Sequence, residues 1–411
     1  MAAYKRLELR QWKTVVHPKR ATLGQIPKSS HPHSSSGDPC FILKDLEAPI
    51  ITLSIDHVTP TELINAQLSD VKSVASYSWL EAATPTIAVP GSPWIWAGDR
   101  DPITGVPLDD GVQFIHHNVT EMDDQSPMVP LFAAIDVLHE GFRYSDLDLI
   151  TNRNSLRKLL RYVDNGRGLK DFRIDIDLVR DTCLFTRCEE NAAIVGSWSG
   201  YGNEYLKAAT RAPLNCENMT DHHRIITYNF GGLNVLLYFT ADACIESDGD
   251  PLLTSFSSLS IRSRGNTLAK PDMPSYAGLD VKPTSPRLMI PQSDLIEVKT
   301  RSIRGELNWR EFYPQLYLSQ IPWLYVAWHL DGIFQPVEKI ALDSDTMKPH
   351  AEDAAPSVGK LKVLLEDILK AVREQGSGVP LSLVCRGRTL TLWKRKEGSG
   401  KPLGMEIISK F

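Results

Sequence analysis

Leu295-Ile296-Glu297-Val298-Lys299-Thr300 is the stretch on which the reading of this chain turns. Apolar and β-branched residues flank a carboxylate and an ammonium group, which predicts a short buried strand with both charges on one edge. Residues two apart in a strand point to one face, so Glu297 and Lys299 converge on one spot. A carboxylate there can hold a divalent cation, and the lysine beside it can steady a water or a phosphate oxygen. That chemistry points to metal-dependent phosphodiester hydrolysis. The same acid-x-Lys spacing recurs at Asp70-Val71-Lys72 and Asp280-Val281-Lys282. The surroundings must choose among the three.

With 411 residues the chain has room for one large domain or two ordinary ones. Its 42% hydrophobic and 23% charged residues are values of a globular protein. No apolar run reaches the length of a membrane-spanning helix, so no membrane partner is expected. A net charge of -5 excludes an overall positive coat, and any nucleic acid must meet a local basic surface. The six cysteines lie far apart without a CxxC pair, against a structural zinc site. Several sit in apolar strands, as reduced thiols of an intracellular protein do.

Residues 1–40 start basic (Lys5, Arg6, Arg10, Lys13, Lys19, Arg20) and continue through His-Pro pairs and a serine run. They are expected to form a flexible basic N-terminal tail. The compartment stays open between nucleus and cytoplasm, with a mitochondrial address suggested only by the basic start. Residues 41–411 are expected to form a single domain, interrupted by a mobile insertion at 246–290 that is rich in Ser, Pro, Gly and Asp.

Within that domain, 50–55 reads as a strand. Ser76–Leu80 and the proline-rich 84–93 read as an ordered loop over the core. Trp94 and Trp96 either stack on a base or pack. Leu156, Leu159, Leu160 and Val163 mark one face of a helix, capped by Asn152 or Asn154 and flanked by Arg153, Arg157, Lys158 and Arg161. Phe172, Ile174, Ile176 and Leu178 alternate with Arg173, Asp175 and Asp177, a half-buried strand whose aspartates face solvent. Gly200-Tyr201-Gly202-Asn203-Glu204 reads as a turn into a helix. Residues 234–245 predict one central strand buried on both faces, with Asp242 its only formal charge. A lone buried carboxylate is costly unless paired or metal-bound, and both readings stay open.

Farther on, Asn308 and Glu311 have capping-box spacing for a helix through Gln315 and Leu318. A strand over 323–330 turns at Asp331-Gly332 into a hairpin. Leu361, Leu364, Leu365, Ile368, Leu369 and Val372 form a helical core stripe. Two closing strands, 380–385 and 389–393, meet at Arg386-Gly387-Arg388.

A carboxylate on a Gly-led helix, an aspartate on a buried strand and a later Glu-x-Lys strand resemble the PD-(D/E)XK nuclease core. That core is an α/β (α+β) fold of mixed β-sheets flanked by helices, here in a single large domain. With the flanks included, the chain resembles the DXO/Rai family of RNA 5′-end decapping nucleases. Thr151-Asn152-Arg153-Asn154-Ser155-Leu156 is similar to its arginine motif, and Gly200-Tyr201-Gly202-Asn203-Glu204 to its Gly-aromatic-x-x-Glu motif. Thr240-Ala241-Asp242 falls on its Glu-x-Asp strand and Glu297-Val298-Lys299 on its Glu-x-Lys strand. Gln315-Leu316-Tyr317-Leu318-Ser319-Gln320-Ile321-Pro322 resembles the helix whose glutamine lies beside the catalytic lysine.

The resemblance implies a catalytic set of Glu204, Asp242, Glu297, Lys299 and Gln315. It implies Mg2+ or Mn2+ at Glu204, Asp242, Glu297 and Val298, and substrate contacts from Arg153, Thr240 and Arg301. The implied activity removes incomplete or atypical caps (triphosphate, unmethylated guanosine or NAD ends) from single-stranded RNA, with 5′-3′ exoribonuclease activity as an accompaniment in some members and a role in mRNA quality control. Thr240 departs from the family's glutamate and removes one negative charge, and Asn203 replaces an apolar or aromatic residue. Two functions therefore stay open: the hydrolase, and a catalytically weakened scaffold that binds RNA or a 5′-3′ exoribonuclease partner. A DNA-acting nuclease on the same core is a third.

Overall fold

The computed structural model describes residues 41–411 apart from 57, 60–65, 100–102, 124, 165–168, 198–199, 214–215, 247–275, 277 and 285–288. The expected tail, with Cys40, and most of the expected insertion lie outside the described residues.

Runs of β-branched and aromatic residues assemble a mixed sheet of eleven strands. At its centre Leu233–Thr240 lies between Leu149–Asn152, to which it runs parallel, and Met219–Phe230, to which it runs antiparallel. A strand flanked on both sides must be apolar on both faces, and Val235, Leu236 and Leu237 are fully buried. A second sheet of seven strands is built around Leu295–Ser302 and Trp323–Leu330, which pair in parallel. Helices flank these mixed sheets in one large domain. That is the expected α/β architecture of the PD-(D/E)XK type.

The expected central strand over 234–245 is broken. Thr240 ends the ladder of the large sheet, and Ala243–Cys244 pairs with Leu295 and Ile296 in the second sheet. A single strand that changes sheets at a bend forms the corner between them. Asp242 sits at that bend, so the only charge in the stretch lands on the seam.

Arg153–Val163 is the expected helix, and Asn152 is its cap, accepting a 2.8 Å hydrogen bond from the Ser155 N–H. Its apolar face (Leu156, Leu159, Leu160, Val163) packs with the helices Trp309–Ser319 and Lys348–Gln375. The latter contributes the fully buried Leu361, Leu364, Leu365 and Ile368. Burying a side chain of this size contributes about 1.5–3 kcal/mol. Together these helices fix Arg153 and Gln315 against the seam.

Four local expectations are corrected. Ser76–Leu80 is the inner half of a strand, Leu68–Leu80, because Tyr77 and Trp79 are buried between neighbouring strands rather than lying over them. Asp280–Pro283 is an edge strand parallel to Thr86–Val89. Asp175 and Asp177 are half-buried and paired rather than free in solvent: Asp175 pairs with Arg173 at 2.5 Å and with Arg395 at 3.2 Å, and Asp177 with Arg395 at 2.9 Å. Arg173 and Arg395 are themselves buried, so the two aspartates supply the counter-charge that a buried guanidinium needs. The capping box does not close. Asn308 makes no side-chain cap, and Glu311 accepts instead from Arg157, at 2.6 Å, and from Arg161. Charge-assisted bonds of that kind are roughly twice as strong as neutral ones.

Candidate active site at the seam between the sheets

Pleating puts Glu297 and Lys299 on one face of their strand, and the Lys299 ammonium donates to Glu297 Oε1. Gln315 Nε2, from the helix behind, donates to the same oxygen. Arg153 donates to Glu297 Oε2 at 3.0 Å, to Ser319 Oγ at 3.3 Å and to the Thr240 carbonyl at 3.1 Å. Its guanidinium lies 5.3 Å from the centre of the Phe239 ring. Asp242 Oδ2 accepts from the Val298 N–H at 2.9 Å and lies 3.9 Å from the Lys299 ammonium. One carboxylate, 1% exposed, is thus gripped by a neighbour on its own strand, by the following helix and by a helix distant in sequence.

The electrostatics follow from this packing. Burial works to raise Glu297, but the Arg153 and Lys299 charges outweigh it and hold the carboxyl below its usual range. Asp242 is pushed the other way, by burial of its carboxyl group and then by the Glu297 charge. Two cations face two carboxylates, so the cluster is neutral. A glutamate at 240 would leave it one charge negative.

Of the residues singled out in the sequence, Arg153, Asp242, Glu297, Lys299 and Gln315 come together. Val298 enters through its backbone N–H and Thr240 through its carbonyl. Glu204 opens its helix as expected, but its carboxylate pairs with Lys207. It makes no described contact with Asp242 or Glu297. The helix itself abuts the seam: a Cβ on Gly202 would lie 3.7 Å from Thr300 Oγ1. Arg301 is exposed and donates to the Glu306 carbonyl at 2.9 Å.

Asp109, not singled out in the sequence, holds that helix in place. It is buried and accepts from the Glu204 N–H at 2.9 Å. Its signal was slight, an acid before Asp110-Gly111 with no helix of its own to cap. Trp96 packs edge-on against Tyr325 at 5.0 Å, the packing alternative of the two readings. The acid-x-Lys match Asp70-Val71-Lys72 has no companions of this kind among the described contacts.

A magnesium-like ion takes oxygen ligands and keeps several waters when only one or two carboxylates bind it. A carboxylate has about four acceptor positions. Glu297 uses three of its own, on Lys299, Gln315 and Arg153, whereas Asp242 is bonded only to Val298 at close range. The donor set fits one such ion through two carboxylates. Among the described residues no group of three His, Cys, Asp or Glu side chains stands together to hold a metal.

Residues 49–389 match the model of a family described as a domain of unknown function, DUF8563. The chain belongs to the DUF8563 family. A comparison with curated proteins returns no match. Among solved structures, this DUF8563 protein is similar to Schizosaccharomyces pombe Rai1, with 13% identity and a TM-score of 0.55 over 84% of this chain and 99% of that one. It is similar to Scheffersomyces stipitis Rai1 in complex with (3'-NADP)+ and calcium ion, with 13% identity and a TM-score of 0.58 over 88% and 99%. It is also similar to Candida albicans Rai1 in complex with pU5-Mn2+, with 10% identity and a TM-score of 0.53 over 88% and 98%. At these identities the likeness establishes the fold alone, which this chain shares with Rai1. No helix of the described residues is long and apolar enough to cross a membrane.

Proposed function

We propose that this protein is a divalent-metal-dependent hydrolase acting on the 5′ ends of single-stranded RNA, removing incomplete or atypical caps in the nucleus or cytoplasm. The observation that carries the reading is the convergence of Arg153, Lys299 and Gln315 on Glu297, with Asp242 beside Lys299. These residues come from separated motifs whose order matches the decapping-nuclease resemblance. Solved proteins of the same fold carry Mn2+ or calcium with nucleotide ligands, which supports a divalent cation here.

Asp242 and Glu297 would hold Mg2+ or Mn2+; the Val298 carbonyl is the backbone oxygen available to it, and Glu204 would join only by leaving its Lys207 partner. Such an ion, when bound, activates water and neutralises charge on phosphoryl oxygens. The chain's own groups do the rest. Gln315 fixes the rotamer of Glu297, and Arg153 balances its charge. Lys299 has three donors and uses one on Glu297, which leaves donors for a water or a phosphate oxygen. Arg301 and Thr240 flank the path that the RNA would follow.

The test is product release from 5′-triphosphate, unmethylated-cap and NAD-capped RNA with Mn2+ or Mg2+, with a DNA counterpart as the specificity control. Glu297→Gln and Asp242→Asn should abolish release while Asp280→Asn retains it. Equal activity in all three sinks the assignment. A second reading, a scaffold that binds RNA or a 5′-3′ exoribonuclease without cutting, is favoured by Thr240 and the neutral charge of the cluster. Activity that arises only in Thr240→Glu would establish it.

A further inference from the structure

Arg153 and Thr240 also line a cavity of about 170 Å³ whose other walls carry His116, Arg157, Arg187 and His223. The lining contains three arginines and no carboxylate. The acids that pair with these arginines, Glu297, Glu311 and Glu189, all stand outside it. The wall of the cavity is therefore cationic, and each guanidinium also bonds its acid outside it. His116 is 8% exposed, and its Nε2 has no hydrogen-bond partner. A buried polar atom left unpaired costs about 1–3 kcal/mol in general, so a ligand that satisfies it is favoured.

The walls are held rigidly. Arg187 donates through Nε to Glu189 at 2.6 Å and through a terminal nitrogen to the Ile115 carbonyl at 2.6 Å. The adjoining backbone is anchored by the His116 N–H on the Ala192 carbonyl at 2.9 Å. Burial, and then the Arg187 charge, hold the His116 ring well below its ordinary range. It is therefore a neutral imidazole at pH 7 and can present one N–H to an acceptor. The N-terminal half of the Arg153–Val163 helix, whose positive dipole end favours anions, borders the same space through Arg153, Asn154 and, one turn on, Arg157.

We propose that this cavity is a phosphoryl-binding subsite, separate from the carboxylates at Glu297 and Asp242. Guanidinium forks match phosphate oxygens better than any other side chain does. The volume is more than ten times the roughly 10–15 Å³ that one water needs on the same measure, room for a phosphate with part of an attached sugar. The subsite adjoins the proposed active site through Arg153 and Thr240 and deepens that reading, whereas His116, Arg187 and His223 have no part in it and can be tested without hydrolysis.

The experiment is calorimetric titration of the full chain in EDTA at low ionic strength, with uridine 5′-monophosphate, inorganic phosphate and uridine as probes. Binding of the monophosphate without binding of uridine is expected, and inorganic phosphate tests whether the phosphoryl group alone suffices. His116→Gln and Arg187→Gln should each weaken binding about tenfold, and Lys394→Gln, remote from the cavity, should not. Because Arg187→Gln could unfold the wall, the wild-type protein supplies an independent readout: the His116 imidazole resonance should shift on addition of monophosphate. Equal affinity for uridine and its monophosphate overturns the proposal. So does unchanged affinity in the variants together with an unmoved His116 signal. With no metal present, the result does not depend on whether hydrolysis is found.

Discussion

Replacing Arg153 by methionine keeps the length of the side chain and deletes the charge that balances Glu297. Three hydrogen bonds are lost, to Glu297 at 3.0 Å, to Ser319 at 3.3 Å and to the Thr240 carbonyl at 3.1 Å. Glu297 is 1% exposed, so water cannot take over the vacated position. Stripping one partner from a buried ion pair costs about 3–5 kcal/mol. Lys299 and Gln315 stay on the other carboxylate oxygen, so the lower end, about 3 kcal/mol, is expected. Against a total stability of about 5–15 kcal/mol, that is a large drop in the urea midpoint. The deciding assay is a double-mutant cycle with Glu297→Gln. Once the glutamate is neutral there is no stranded charge, and Arg153→Met should cost at least about 2 kcal/mol less. Free energies that add within about 0.5 kcal/mol would refute the view that this pair, rather than the packing around it, holds the seam.

Other outcomes are specific to the same fold. Asp109→Ala removes the acceptor for the Glu204 N–H and should cost about 1 kcal/mol in urea unfolding. In the activity assay it should act through a displaced Glu204 helix, lowering turnover more than Asp280→Asn does. Gly91→Ala would put a Cβ 2.2 Å from the Ser78 nitrogen and 2.3 Å from the Tyr77 carbonyl carbon. Both are backbone atoms of a buried strand, so a loss of about 2 kcal/mol or more is expected in thermal melts, and a neutral result would mean that this loop is not packed as described. Burial works to raise Glu189, but Lys158 and Arg187 outweigh it and hold the carboxyl below its ordinary range. A depressed carboxyl stabilises the fold above its unfolded pKa and loses that contribution as pH falls through the folded value. Glu189→Gln should therefore lower the urea midpoint at neutral pH, with the gap to wild type closing under acid conditions. A gap that widens in acid would reverse the sign of the argument.

The sequence was most legible where one residue type had one physical use. The Leu156 to Val163 stripe and its Asn152 cap could be read directly, because helical periodicity and a first-turn acceptor are local. Glu297 and Lys299 could be placed on one edge for the same reason. What escaped was set by partners distant in the chain. Asp175 and Asp177 read as solvent charges because nothing nearby announces Arg395, which closes over them from the last strand. Glu311 has the spacing of a capping box, yet two arginines from another helix outbid the backbone N–H. The break at Ala241 was invisible because both halves of the stretch are strand-like, and only pairing tells them apart. The His116 cavity escaped because its residues come from five separate stretches, none carrying a motif.

That break has a use as a reporter. The Ala241 amide donates to the His222 carbonyl at 3.2 Å, the last rung of one ladder, and the Ile245 amide donates to the Asp294 carbonyl at 2.8 Å, beside the first rung of the other. The two amides, four residues apart, belong to different sheets. In hydrogen–deuterium exchange each records the opening of its own sheet, so unequal protection would reveal two cooperative units within one domain. A ligand that bridges the seam at Asp242 would slow both together, and one that sits on a single sheet would slow only its own.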